Sequence, residues 1–190
     1  MFGIPYDALH PAVVHFPIAG LVLGAVLLVL LAVVPGRSRT GLTMATAAVL
    51  IITCLSAWLA ISTGEATYEA VESPAVYPDM SPQASALMHE HEEASEVLGP
   101  LTTALAGLFV LGWLAGPRLP KKLRPTWAVV LASVVFAGLY AGTLYQLSRA
   151  AHMGGQLVHA HKITAPMPID QALIKHAAEE QGDGHEDLDH

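Results

Sequence analysis

The sequence predicts an all-α protein, a bundle of four transmembrane helices running up-down-up-down with both termini outside. Three observations predict it. The chain of 190 residues is 53% hydrophobic and 13% charged, with a mean hydropathy of +0.50. An average soluble domain carries about 25% charge, so there is too little polar surface here to cover a water-soluble globule. Charged residues are absent from four stretches, 8–36, 40–64, 97–117 and 125–148. Each is at least about 20 residues long, enough for a helix to cross ~30 Å of hydrocarbon. The basic residues, finally, gather in alternate loops.

The first span is expected near 12–34. Pro11 suits its opening turn, and Pro35-Gly36 stops it. No Lys or Arg precedes it and the apolar run is long, which separates it from a cleavable signal peptide. The second span is expected near 42–62. The third crosses the hydrocarbon near 97–116, but Ser81-Pro82 reads as an N-cap followed by a proline at the first helical position. Its helix is therefore expected over 82–116, standing several turns above the membrane. The fourth crosses near 126–148, with its helix continuing to about 150. Residues 1–164 form one transmembrane domain, and 165–190 a polar, acidic, flexible tail. Gly20-x-x-x-Gly24 and Gly138-x-x-x-Gly142 would permit close helix contact. No internal repeat beyond the four spans is apparent.

Six of the nine basic residues, Arg37, Arg39, Arg118, Lys121, Lys122 and Arg124, sit in the loops after the first and third spans. The positive-inside rule places those loops in the cytoplasm. The other side then holds all 16 acidic residues against three basic ones, a net of −13. A bacterial inner membrane with this acidic face in the periplasm is the expected location. The overall charge of −7 has the wrong sign for a nucleic-acid binder. A single cysteine, Cys54, excludes an intrachain disulfide and any CxxC motif. No P-loop, GxSxG or HExxH motif marks the chain as an enzyme.

All ten histidines fall on the outer side or at the outer helix ends. His10 and His15 flank the start of the first span. His15 is the deeper, and an imidazole at that depth is costly unless it faces the bundle and has a partner. His89 and His91 precede the third span. On a helix, His89 shares a face with Glu92, Glu93 and Glu96, while His91 points about 200° away. One of the two can face the bundle and the other water, and a carboxylate one turn away could orient a ligand ring. After the fourth span come His152, Gly154, Gly155, His159 and His161. The paired glycines allow close backbone approach, bringing His159 or His161 over the outer mouth. His176, His185 and His190 are scattered through the acidic tail.

The blocks His10-Pro11-Ala12-Val13-Val14-His15-Phe16-Pro17-Ile18-Ala19 and Gly154-Gly155-Gln156-Leu157-Val158-His159-Ala160-His161 resemble the HPxxVHFPIA and GGxLVYxHG motifs of an uncharacterised bacterial four-helix membrane domain family. The resemblance covers about 10–162. The matched residues are His10, His15, Gly154, Gly155 and His161, with His159 at the tyrosine position and Lys162 at that of the final glycine. The family also has a histidine ahead of its third helix, a place for which His89 and His91 compete. Its relatives fused to cytochrome c-like domains imply redox work.

Neutral imidazoles from two helices of an apolar bundle suit axial ligation of haem. With no CxxCH, the haem would be of the non-covalent b type, one or two per chain. The leading expectation is thus a non-catalytic electron-transfer subunit, working between periplasmic partners such as a c-type cytochrome and membrane quinone or a partner subunit. His15 is the first axial candidate, with His89, His91 or His161 as its partner. The alternatives are a Zn or Cu site on the outer surface, and a structural subunit without cofactor.

Overall fold

In a computed structural model of the chain, the described residues are 9–34, 38–72, 77, 80–118, 120 and 126–163. The expected tail and its three histidines, and Arg37, Lys121, Lys122 and Arg124, lie outside them. Among the described residues there are six α-helices: α1 (His10–Val13), α2 (His15–Val33), α3 (Ser38–Glu72), α4 (Pro82–Glu96), α5 (Leu98–Ala115) and α6 (Thr126–His159). No strand occurs among the described residues.

These six helices make four rods, because α1 with α2 and α4 with α5 are separated only by Val14 and Val97. Both separating residues keep right-handed helical dihedrals. The interruptions have one cause. A proline lacks the N–H that would bond the carbonyl four residues back. Pro17 stands three residues after Val14 and Pro100 three after Val97, so the Val13 and Glu96 carbonyls lose their helical partners at those breaks. The four rods are long and apolar enough to cross a membrane.

Ser81 caps α4 as the sequence predicts, its side chain accepting the Ala84 N–H at 3.2 Å. Two helices run farther than their uncharged segments. Beyond Gly64 and beyond Ser148, α3 and α6 continue because they have something to pack on. Val71, Ala84, Met88, Leu157 and Ile163 form a buried cluster there, and Ala94, Leu98, Ala150 and Met153 a second one. The chain after α6 is turned back at Lys162, whose φ is 60°. This brings the Ile163 N–H to the Leu157 carbonyl at 3.0 Å and its side chain into the first of those clusters.

Within the apolar segments the packing suits helices apolar enough to sit in a bilayer. Large hydrophobics such as Phe16, Leu55, Leu111 and Val134 are exposed. The interior uses small and hydroxyl residues, which let helices approach. Thr46, Thr53, Thr63, Thr102 and Thr143 are all buried, and each hydroxyl donates to a carbonyl one turn back. Leu21, Leu50, Leu105, Ala106 and Tyr140 form the central cluster. The two glycine pairs differ sharply. An alanine Cβ at Gly20 would overlap Thr53 Oγ1, and one at Gly24 would lie 2.5 Å from the Tyr140 oxygen. At Gly138 and Gly142 it would meet nothing within 4 Å.

A repeat is present after all. Thr53, Ala60 and Gly64 on α3 recur 90 positions later as Thr143, Ala150 and Gly154 on α6. Both threonines and both alanines are buried. The rods before them each carry a proline-induced interruption. The two long helices thus share one spacing of threonine, alanine and glycine.

Candidate paired-histidine site

The shared spacing positions two histidines. His10 opens α1, where the chain enters the first rod, and its Nδ1 lies 3.0 Å from the Ala60 carbonyl oxygen of α3. The Thr63 hydroxyl oxygen is 3.3 Å from the same nitrogen. His91 sits in α4, and its Nδ1 lies 3.0 Å from the Ala150 carbonyl oxygen of α6. A carbonyl only accepts, so in both rings Nδ1 carries the proton and donates it. In the neutral ring the lone pair is then on Nε2. No hydrogen bond to either Nε2 occurs among the described residues. Both rings are half-buried.

Each ring also rests on a glycine four residues beyond its carbonyl partner. A Cβ at Gly64 would lie 3.0 Å from His10 Cε1, and one at Gly154 3.1 Å from His91 Cε1. The carbonyls of Ala60 and Ala150 accept from these rings, a part for which the sequence also offers carboxylates. The carboxylates of Glu92 and Glu93 instead stand 3.6 and 3.3 Å from the exposed ring of His89. His89 and His91 therefore divide as their helical spacing predicts, one towards water and one towards the bundle.

The other sequence-predicted residues are placed as follows. His15 is exposed one turn beyond His10, on the outside of the first rod. His152 and His159 are exposed on α6. His161 is half-buried and lines, with Tyr77 and Met80, an open cavity of about 400 Å³ beneath the end of α6. Gly154 packs against His91, whereas Gly155 has nothing within 4 Å of its Cβ direction. Of the nine residues singled out from sequence, the fold seats His10 against α3 and brings His91 and Gly154 together at α6. Among the described residues, no group of three or more His, Cys, Asp or Glu side chains is arranged to hold a metal ion.

Four residues of the arrangement carry no chemical signal of their own: Ala60, Thr63, Gly64 and Ala150. Two of these act through their backbone carbonyls. The signal that marks Ala60, Gly64 and Ala150 is the T-x6-A-x3-G spacing shared by α3 and α6, which appears only when the two helices are aligned with each other; Thr63 lies outside it. Chemically, the site offers two neutral imidazoles from different rods, each with its remaining nitrogen available as a ligand and its orientation set by a backbone acceptor. Comparison of the chain with family models, with curated proteins and with solved structures gives no match.

Proposed function

We propose that this chain is a b-type haem-binding electron-transfer subunit of a bacterial cytoplasmic membrane, with His10 and His91 as the axial ligands. One observation carries the reading: two half-buried rings on separate rods, each donating Nδ1–H to a carbonyl at 3.0 Å. A metal-ligating histidine almost always gives its other ring N–H to such an acceptor, which fixes the tautomer and raises the basicity of the ligating nitrogen. The donor set fits haem iron, which needs only two axial protein ligands, and the absence of CxxCH from the sequence leaves non-covalent attachment. A haem held by His10 and His91 would supply a one-electron carrier. The chain's own part is to hold two neutral imidazoles and to keep water out with apolar helices. The charge asymmetry supports an orientation with this site on the periplasmic side. There it would face a soluble carrier such as a c-type cytochrome, with quinone or a partner subunit as the membrane-side partner.

The test is a reduced-minus-oxidised spectrum of detergent-purified protein, with haem, zinc and copper quantified per chain. Stoichiometric haem with a low-spin spectrum is expected. His10→Ala and His91→Ala should each remove that spectrum, and His15→Ala and His89→Ala should leave it unaltered. Stoichiometric zinc or copper without haem would overturn the reading, as would an intact low-spin spectrum in both ligand variants.

A further inference from the structure

Glycine is a poor helix former, yet Gly64 and Gly154 lie within the two longest helices, α3 and α6. The contacts supply the reason. A methyl group at Gly64 would stand 3.0 Å from Cε1 and 3.3 Å from Nδ1 of His10, and one at Gly154 3.1 Å from Cε1 of His91. Carbon atoms rest comfortably at about 3.5–4.0 Å, so either ring would have to move. It could not move freely, because its Nδ1–H is tied to a carbonyl about one helical turn earlier. The ring spans that turn from carbonyl to glycine, in the same way on both helices.

We infer that Gly64 and Gly154 are positioning residues, a matched pair of ring seats that hold His10 and His91 in one tautomer, each with Nε2 left for a cofactor. The identity of the cofactor rests on the function proposed above. The seats themselves rest on the repeated geometry. Gly155 is the internal control, since it neighbours Gly154 on the same helix and its Cβ direction is empty.

The experiment uses the full chain in detergent, labelled with ¹⁵N at histidine, in cofactor-free and haem-reconstituted forms. In the cofactor-free protein, ring ¹⁵N shifts report the tautomer. Gly154→Ala is expected to shift the His91 ring away from the pure Nδ1–H form and leave His10 unchanged. Gly64→Ala should do the converse, and Gly155→Ala neither. Haem affinity should fall on the order of 10–100-fold in the two seat variants, the usual cost of disturbing the groups behind a ligand. Unchanged ring shifts in both Gly64→Ala and Gly154→Ala would overturn the inference whatever the haem content. Shifted rings in a chain whose wild type binds no haem would uphold the seats and defeat the iron reading. If Gly154→Ala fails to fold, the double variant His91→Ala/Gly154→Ala should fold as well as His91→Ala alone, because the clashing ring is gone. A double variant that also fails would overturn the seat.

Discussion

Replacing Gly20 by alanine should destabilise the bundle, and the size of the effect follows from one contact. The added methyl would overlap Thr53 Oγ1 and stand 3.1 Å from Thr53 Cβ. Thr53 is 1% exposed, and its hydroxyl donates to the Val49 carbonyl at 2.7 Å. Rotating the threonine away would leave its buried hydroxyl without that partner, about 1–3 kcal/mol. Keeping it would push α2 off α3, an overpacking cost of about 1–3 kcal/mol. The better helix propensity of alanine returns up to about 1 kcal/mol. The net loss should be about 1–2 kcal/mol, or roughly 2–8 °C in melting temperature for a chain of this length. Gly138→Ala is the matched control, since nothing lies within 4 Å of its Cβ direction. Only the propensity gain remains there, and the melting temperature should hold or rise. Cys54, the single cysteine, is half-buried with its Sγ 3.3 Å from Thr103 Oγ1. A thiol-reactive dye therefore reports separation of α3 from α5 on heating. A Gly20→Ala protein that melts at or above wild type, or a Gly138→Ala protein equally damaged, would refute the close packing of α2 on α3. His10 tops this same seam, so Gly20→Ala should also weaken its hold on the Ala60 carbonyl.

Tyr140 is buried and its O–H donates to the Leu21 carbonyl; Tyr140→Phe should cost about 1 kcal/mol, read as a lower melting temperature in the same dye assay. Lys162 holds a left-handed φ of 60°, a conformation that costs a non-glycine residue roughly 1–2 kcal/mol. Lys162→Gly should therefore stabilise the turn after α6 by up to about 1 kcal/mol, net of the extra freedom of glycine when unfolded, and slower hydrogen exchange at Ile163 would show it. If the basic loops are cytoplasmic, Ser38→Cys in a Cys54→Ser background should escape an impermeant thiol reagent in intact cells and react once the membrane is opened.

The rods were legible because bilayer thickness acts on the sequence directly. A charged side chain at the bilayer centre is costly, so the uncharged stretches 8–36, 40–64, 97–117 and 125–148 mark the four spans. Their continuation above the membrane was legible only where a local signal existed. Ser81-Pro82 announced α4, and its cap is present. The extensions of α3 to Glu72 and α6 to His159 depend on packing between distant segments, which no local pattern encodes. The Pro17 and Pro100 interruptions were visible in principle, since a missing N–H always orphans the carbonyl four residues back. The glycine pairs show the opposite limit. Gly20-x-x-x-Gly24 and Gly138-x-x-x-Gly142 have the same spacing, and only the fold distinguishes the pair under side chains from the pair facing open space.

Depth along a helix does not decide which way a histidine faces. His15 lies deeper in its rod than His10, and depth raises the cost of an unpaired imidazole. That cost falls only on a ring turned away from polar partners and water, and a side chain's direction rotates by about 100° per residue. Five residues separate His10 from His15, so they point some 140° apart, and only one of them can face α3. His10 is the one that does, because Gly64 leaves room beside it and the Ala60 carbonyl accepts its proton. On α6, Gly154 and the Ala150 carbonyl make the same provision for His91 and none for His89. Selection between neighbouring histidines is therefore made on the facing helix, by a glycine and a carbonyl, and the two helices that make it share one spacing of threonine, alanine and glycine.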